Sequence, residues 1–141
     1  MFMIVDAKGL IAGRLSTKVA KLLIKGETVT ILNAEEAIIV GNRVNILEKF
    51  KVRVDANVKS NPHFGPKYSR IPDRILRRMI KGMLPRNGRT KEKIVKRLTV
   101  YNSVPKELAK EKAEVFEEFR CNERHKYVTI KEIALWLGGR W

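Results

Sequence analysis

Apolar residues in the first part of the chain follow two spacings, and together these predict strands that alternate with helices. Three short apolar runs have the length of buried strands, at residues 3–7, 28–32 and 37–40. Two longer stretches have the apolar spacing of amphipathic helices, at residues 12–25 and 43–54. Strands and helices that alternate in units of about thirty residues favour a mainly parallel sheet covered by helices.

The first predicted helix carries an apolar stripe and a basic stripe on opposite sides. Its apolar stripe consists of Leu15, Val19, Leu22 and Leu23. Its basic stripe consists of Arg14, Lys18, Lys21 and Lys25. Gly26 follows the last turn, where glycine commonly ends a helix. The apolar stripe is therefore predicted to pack in the core, with the basic stripe facing away from it.

Residues 56–71 lack both spacings and are punctuated by Pro, Gly and Asn, so we predict an extended loop, the basic arm. A helix begins at Pro72, a residue type favoured in a first helical turn. It ends at Leu84, because the residue before a proline avoids the α region. Its predicted buried stripe consists of Ile75, Leu76, Met79, Ile80 and Met83. A short basic helix over residues 91–97 and a strand over 98–101 follow.

The last part of the chain changes character, and we predict a helical extension over residues 102–141. Residues 106–119 mix both charge signs and carry apolar side chains for packing on one helix. Thr129 and Glu132 stand at the two positions of a capping box, the pattern that opens a helix. This extension is expected to pack on the preceding core.

The whole chain is predicted to be one domain spanning residues 1–141. Its α/β core covers residues 1–101, which include the basic arm at 56–71 and the basic helices at 72–97. A chain of 141 residues with 44% hydrophobic residues is large enough for one packed core. The sequence contains no internal repeat and no low-complexity linker that would divide it.

Positive charge is concentrated in one region. Residues 59–97 contain thirteen Lys or Arg residues and two acidic residues, an excess of eleven out of the formal net charge of +15. Such a patch repels itself unless a polyanion neutralises it, and a nucleic acid backbone matches it best. His63, Phe64 and Tyr68 lie among these charges, where their rings can either pack locally or stack on unpaired bases. The sequence has no helix-turn-helix, zinc-finger or basic-zipper pattern, which favours structured RNA over a DNA operator.

The sequence carries no motif for catalysis. Residues 9–16 follow a predicted strand and open a helix, as a phosphate-binding loop does, but Arg14 stands where the Walker pattern requires a Lys. Cys121, His63 and His125 have no further ligand at the spacing of a zinc site. The acidic residues show no pairing suited to acid–base catalysis. We therefore predict that the protein is not an enzyme and has no cofactor, no metal site and no small-molecule substrate.

Cysteine usage and hydropathy bear on the compartment. The single cysteine cannot form an internal disulfide, which suits a reducing compartment. No apolar run approaches the roughly 18–20 residues that span a bilayer, and the first residues lack the basic and apolar regions of a signal peptide. We expect a cytoplasmic protein with no membrane partner.

Residues 82–87, Gly-Met-Leu-Pro-Arg-Asn, closely resemble a segment of the ribosomal protein L-thirteen family of the large subunit. Six further segments match that family in register: residues 6–7, 13–16, 29–35, 40–42, 75–81 and 98–101. The resemblance extends over residues 3–104. Residues 136–139, Trp-Leu-Gly-Gly, resemble the archaeal branch, whereas residues 102–105 depart from the bacterial Gly-x-x-His-Pro pattern.

The resemblance implies a three-layer α/β/α fold around a four-stranded parallel sheet. It also implies a structural constituent of the large ribosomal subunit that binds ribosomal RNA, supports subunit assembly and contacts neighbouring large-subunit proteins. By position, the residues predicted to bind RNA are Arg14, Lys18, Lys67, Arg70, Arg74, Arg77, Arg78, Lys81, Arg86, Asn87 and Arg89. Two alternatives stay open: a free regulatory protein that binds RNA or DNA, and an RNA-modifying enzyme.

Overall fold

Strands and helices alternate through the first hundred residues of the computed structural model, which describes residues 2–108, 111–121 and 124–141. The strands are β1 (Phe2–Asp6), β2 (Thr28–Leu32), β3 (Ile38–Val40), β4 (Leu98–Val100) and β5 (Tyr127–Thr129). The helices are α1 (Ala12–Lys25), α2 (Arg43–Asp55), α3 (Pro72–Gly82), α4 (Gly88–Val95) and α5 (Ile130–Trp136). Single 3₁₀ turns occur at Ala34–Glu36, Pro62–Phe64 and Glu117–Phe119.

Three of the strands form a parallel sheet in which β2 lies between β1 and β4. Phe2 of β1 lies opposite Thr28, and Leu98 of β4 lies opposite Val29. β2 consists of β-branched and apolar residues, Thr-Val-Thr-Ile-Leu, and its last four residues are buried, as expected for a central parallel strand covered on both faces. β3 and β5 pair with each other in a separate antiparallel sheet. The protein is thus a mixed α/β structure.

The core lies where α1 and α3 pack against each other, with α1 also contacting β2 and α3 contacting β4. Leu15, Val19 and Leu23 of α1 are fully buried, as are Leu76 and Ile80 of α3. Burial of each such aliphatic side chain stabilises the fold by about 1.5–3 kcal/mol. The apolar stripes predicted from spacing therefore hold both helices on the sheet.

Two helix ends confirm local signals in the sequence. α1 ends before Gly26, whose φ of 100° is left-handed, a conformation that costs glycine little. α5 begins after Thr129, whose side-chain oxygen accepts a hydrogen bond of 3.2 Å from the amide of Glu132. Gly26 and Thr129 thus act as the sequence predicted.

The predicted four-stranded parallel sheet is not found among the described residues, where the parallel sheet has three strands. Residues 37–40 pair with β5 instead, because the five residues between β2 and β3 are too few for the crossover that a parallel neighbour requires. Beside β1, a single bridge joins Val5 to Glu114. There the amide of Asp6 donates to the Glu114 carbonyl at 3.0 Å, and the Glu114 amide donates to the Ile4 carbonyl at 2.8 Å.

The predicted helix over residues 106–119 is wrong wherever the structure describes this segment, which leaves out residues 109–110. The chain here is turn and extended backbone, with a 3₁₀ turn at Glu117–Phe119. The rings of Phe116 and Phe119 are in contact, with centroids 5.7 Å apart. Side chains three residues apart lie on the same side of a 3₁₀ turn, so this spacing does not require an α-helix. The predicted helical extension is therefore mostly extended and ends in the short elements β5 and α5.

Candidate nucleic-acid interface

α3 presents its basic side chains outward because its apolar side chains are fixed in the core. Ile75, Leu76 and Ile80 are at most 2% exposed. Met83, predicted to share this stripe, is 43% exposed because α3 ends at Gly82 and Met83 follows its last turn. Four basic residues on the other side of the helix are exposed: Arg74, Arg77, Arg78 and Lys81.

The beginning of α3 is held by a residue that follows β4. The backbone amide of Asp73 donates a hydrogen bond of 2.8 Å to the side-chain oxygen of Asn102. This bond satisfies one of the amides that a helix start leaves without an intrahelical partner. Asn102 belongs to the stretch that departs from the bacterial pattern, and its contact with Asp73 helps to fix the basic helix relative to the sheet.

Basic side chains from three segments line one open groove with a volume of about 800 Å³, which we call the basic groove. They are Lys67 of the basic arm, Arg74, Arg77, Arg78 and Lys81 of α3, and Lys91 of α4. The other described residues that line it are Tyr68, Ser69, Gly82 and Val95, so none of the described lining residues is acidic. A concave surface lined by one sign of charge focuses the electrostatic potential and attracts anions.

The basic arm forms one wall of the groove because Arg78 holds it against α3. The Arg78 guanidinium lies 3.7 Å from the ring centre of Tyr68, and its Nη1 donates a 2.8 Å hydrogen bond to the Lys67 carbonyl. Arg53 of α2 donates a longer hydrogen bond, 3.4 Å, to the Tyr68 hydroxyl. Tyr68 therefore packs locally, which resolves one of the three aromatic candidates, and Arg78 has a positioning role beside any phosphate contact.

α4 forms the opposite wall. Lys91 and Val95 lie four residues apart, so they share the side of α4 that lines the groove. Arg77 reaches this wall, with its Nη2 atom 3.5 Å from the Val95 carbonyl. Lys91 was predicted to lie on a basic helix but not to bind RNA, and only its position in the groove lining distinguishes it from the other lysines of α4.

The turn after α3 and the start of α4 carry three more of the predicted residues. Arg86 and Asn87 are exposed, and neither lines the groove. Asn87 precedes α4 without a side-chain capping bond, and its carbonyl accepts a 2.8 Å hydrogen bond from the Lys91 amide. Arg89 lies in the first turn of α4, but its side chain is outside the described part of the structure.

Arg14 and Lys18, predicted to belong to the same basic surface, are not among the residues that line the groove. Both are exposed on α1, which contributes no lining residue. The Lys18 ammonium lies 5.7 Å above the ring of Phe116, in the C-terminal segment. On α1, the side that contacts α3 carries Thr17, whose hydroxyl is 3.4 Å from the Met83 sulfur. The exposed basic side chains of α1, which we call the α1 stripe, form a set outside the groove lining: Arg14, Lys18, Lys21 and Lys25.

Arg70, at the foot of the basic arm, contacts the C-terminal turn instead of the groove. A Cβ atom on Gly139 would come within 2.2 Å of the Arg70 carbonyl oxygen, so only glycine permits this approach. The Arg70 guanidinium lies beside Gly138. The end of the chain thus holds the foot of the arm in place.

The described residues contain no group of three or more His, Cys, Asp or Glu side chains placed to hold a metal ion. Within the same residues, no helix is both long and apolar enough to cross a membrane. Neither finding offers a second candidate site.

Comparison with known proteins shows which family the chain is similar to. The profile of the family described as ribosomal protein L13 matches residues 1–107. Three archaeal relatives named large ribosomal subunit protein uL13 also align with the chain. The relative from Archaeoglobus fulgidus is 37% identical over 99% of this chain and 89% of its own length. Those from Thermoplasma acidophilum and Methanosphaera stadtmanae are each 39% identical, over 96% and 100% of this chain and 98% and 100% of their own lengths.

The alignments cover the α/β core and the C-terminal segment alike, and they reach the archaeal-type ending that the sequence analysis noted. Since the profile matches more than half of the chain and the relatives exceed 30% identity over nearly its whole length, the chain belongs to the ribosomal protein L13 family.

Proposed function

We propose that the protein is a structural constituent of the large ribosomal subunit and binds ribosomal RNA through the basic groove. The observation that carries this proposal is the convergence of six basic side chains from three segments on one groove without an acidic lining residue. Membership of a ribosomal protein family and the names of its relatives support the same partner.

The chemistry of the groove suits an RNA backbone. Arginine presents a planar fork that binds phosphate oxygens through paired hydrogen bonds, and three of the six basic residues are arginines. The three segments are fixed by buried residues and by the Arg78–Tyr68 contact, so their charges are spaced before RNA arrives. Binding of this kind recognises the path of the phosphates and not the base sequence.

The predicted residues outside the groove extend this proposal to a second area. Arg14 and Lys18 present positive charge on α1, and Arg86 and Asn87 present polar groups on the exposed turn after α3. With Arg70 and Arg89, they would contact RNA strands that pass the groove at its edges. The protein would then lie between several RNA segments, as a constituent that supports subunit assembly and also contacts neighbouring large-subunit proteins.

Two finer points of architecture are also proposals. The contacts of α1 with β2 and of α3 with β4 support the three-layer arrangement implied by the family resemblance. The single bridge between Val5 and Glu114 is the feature that would extend the sheet by a fourth strand. The pairing of β3 with β5 supports a single domain over residues 1–141, because it joins the core to the C-terminal segment.

Cosedimentation in a density gradient tests the function. The tagged protein expressed in an archaeal host should migrate with large subunits in the cytoplasmic fraction and stay with them at moderate salt. A protein that remains at the top of the gradient would instead favour the free regulatory protein. An RNA-modifying enzyme is disfavoured by the family itself, whose description is that of a ribosomal protein.

A further inference from the structure

The tip of the basic arm exposes an aromatic ring that the packing of the protein does not use. Phe64 is 85% exposed, the highest value among the large hydrophobic side chains of the described chain. Tyr68, four residues later, is packed against Arg78 and is only partly exposed. The structure therefore separates two aromatic residues that the sequence alone could not distinguish.

The tip is a closed and well-defined turn. Phe64 is the last residue of the 3₁₀ turn Pro62–Phe64, and the side-chain oxygen of Asn61 accepts a hydrogen bond of 3.1 Å from the His63 amide. The Phe64 and Gly65 amides bond back to the carbonyls of Asn61 and Pro62. These bonds fix the backbone that carries the ring, which lowers the entropy lost when the ring is covered.

Gly65 closes the base of this turn. A Cβ atom at position 65 would lie 3.0 Å from the amide nitrogen of Val58 and 3.5 Å from the Cα of Asn57. The returning chain therefore passes directly against the outgoing chain, and a larger residue would open the loop. The close approach keeps Phe64 at the tip and directs it away from the body of the arm, consistent with its exposure.

The charge around the tip indicates which kind of partner would bind at Phe64. The basic arm, residues 56–71, contains Lys59, Lys67 and Arg70 and no acidic residue. Lys67 lines the basic groove, and three residues of chain span at most about 11 Å, so Phe64 lies within that distance of the groove wall. A partner that reaches both must be anionic beside Lys67 and offer a flat apolar face at Phe64.

An unpaired RNA base next to its own phosphate backbone has both properties. We infer that Phe64 stacks on an unpaired base of the RNA whose phosphates occupy the basic groove. This inference rests on the proposed function and adds to it a single-stranded or bulged nucleotide as the feature recognised at the arm tip. In this arrangement the groove residues bind the phosphates of the RNA backbone, and Phe64 binds only where the adjacent RNA has an unpaired base.

Binding of the full-length protein to protein-free large-subunit ribosomal RNA tests the inference. Phe64→Ala should weaken binding roughly 5- to 150-fold, the usual effect of removing one base-stacking ring. The slope of log affinity against log salt should not change, because no charge is removed. Phe64→Trp should bind like the wild type, whereas Phe64→Leu, which is apolar but has no π face, should bind like Phe64→Ala.

Phe2→Ala is the matched control, since Phe2 is also exposed, at 58%, but belongs to β1 and not to the arm. It should bind RNA normally, and all variants should keep the wild-type melting temperature. Wild-type affinity for Phe64→Ala or Phe64→Leu would overturn the inference. Normal RNA binding by Phe64→Ala together with loss of cosedimentation would assign Phe64 to a neighbouring protein, which also overturns it. A flat salt response of the wild type would overturn the proposed function itself.

A photocrosslinker gives an independent readout at the same position. Benzoylphenylalanine in place of Phe64 should crosslink to RNA at one or a few unpaired nucleotides in assembled subunits. Crosslinks to protein alone, or only to base-paired helices, would contradict stacking on a free base.

Discussion

The basic groove and the α1 stripe are both built from amphipathic helices, yet they present charge in different ways. On α1, Arg14, Lys18, Lys21 and Lys25 follow one another along a single convex helix, and all are exposed. In the groove, α3 contributes a similar stripe, but the basic arm and α4 add a charged wall on each side. Charge on a convex ridge is screened by salt on every side, whereas charge in a concave site acts together on one ligand. Helical spacing alone therefore does not make a binding site.

Charge reversal in the two regions should give the largest difference. Arg74→Glu with Arg77→Glu and Lys81→Glu should weaken binding to large-subunit ribosomal RNA about 10³-fold or more, because each charged hydrogen bond contributes about 1.5–3 kcal/mol. Arg14→Glu with Lys21→Glu and Lys25→Glu changes the net charge equally but should cost only about tenfold, because Arg14 alone among these three is proposed to contact RNA. Filter binding at fixed salt measures both.

Arg78 is left unchanged in this comparison because it also holds the arm in place. Circular dichroism should be native in both triple variants, since all six side chains are exposed. Equal losses in the two variants would show that total charge, and not the groove, governs binding.

The foot of the arm offers a test of how the groove is held together. Gly139→Ala places a methyl group against the Arg70 carbonyl and should lower the free energy of unfolding by about 1–3 kcal/mol. Gly13→Ala is the matched control on α1, because a Cβ atom there meets nothing within 4 Å. It should leave stability unchanged or raise it by about 0.5–1 kcal/mol, as alanine favours helix. Thermal melting of both proteins decides the matter.

The wall formed by the arm depends on Tyr68. Tyr68→Ala removes the ring against which Arg78 packs and should weaken RNA binding by about 2- to 30-fold, the range expected for a cation–π contact of about 0.5–2 kcal/mol. Tyr68→Phe keeps the ring, loses only the long bond from Arg53, and should bind almost as the wild type. If both variants bind equally poorly, the hydroxyl matters more than the ring.

The smallest effect is expected from a single lysine of α4. Lys91→Ala should reduce affinity by up to about fivefold and lower the salt slope by about 0.7–0.9, the value for one phosphate contact. Lys93→Ala, on the same helix but outside the groove lining, should change neither quantity. A salt slope that falls equally in both variants would mean that α4 acts through its total charge.

Local signals in the sequence were sufficient for most elements of the core. The apolar spacing of α1 with Gly26 behind it, and the buried run of β2, correspond closely to the observed bounds. These features depend on residues a few positions apart. For the same reason the exposed stripe of α3 was predicted correctly, since burying Ile75 and Ile80 directs Arg74 and Arg78 outward.

Features that depend on distant contacts were not predictable in this way. β5 pairs with β3, far away in the sequence, and although Tyr, Val and Thr favour strands, three such residues are too few to predict one. Residues 106–119 have helix-like spacing, but the Glu114 backbone bonds to β1 instead. Lys91 lines the groove and Arg14 does not, a difference that depends on how the helices are placed in three dimensions and not on helical spacing.

The contact between Gly139 and Arg70 also sets an order of events during synthesis. The basic arm and α3 are synthesised before the C-terminal turn, so Arg70 lacks its contact with Gly139 until that turn has emerged from the ribosome. β3 likewise has no partner strand until β5 has been synthesised. The nascent chain therefore contains most of its basic residues before the basic arm has its final geometry. We expect tight RNA binding only after the C-terminal turn has been synthesised.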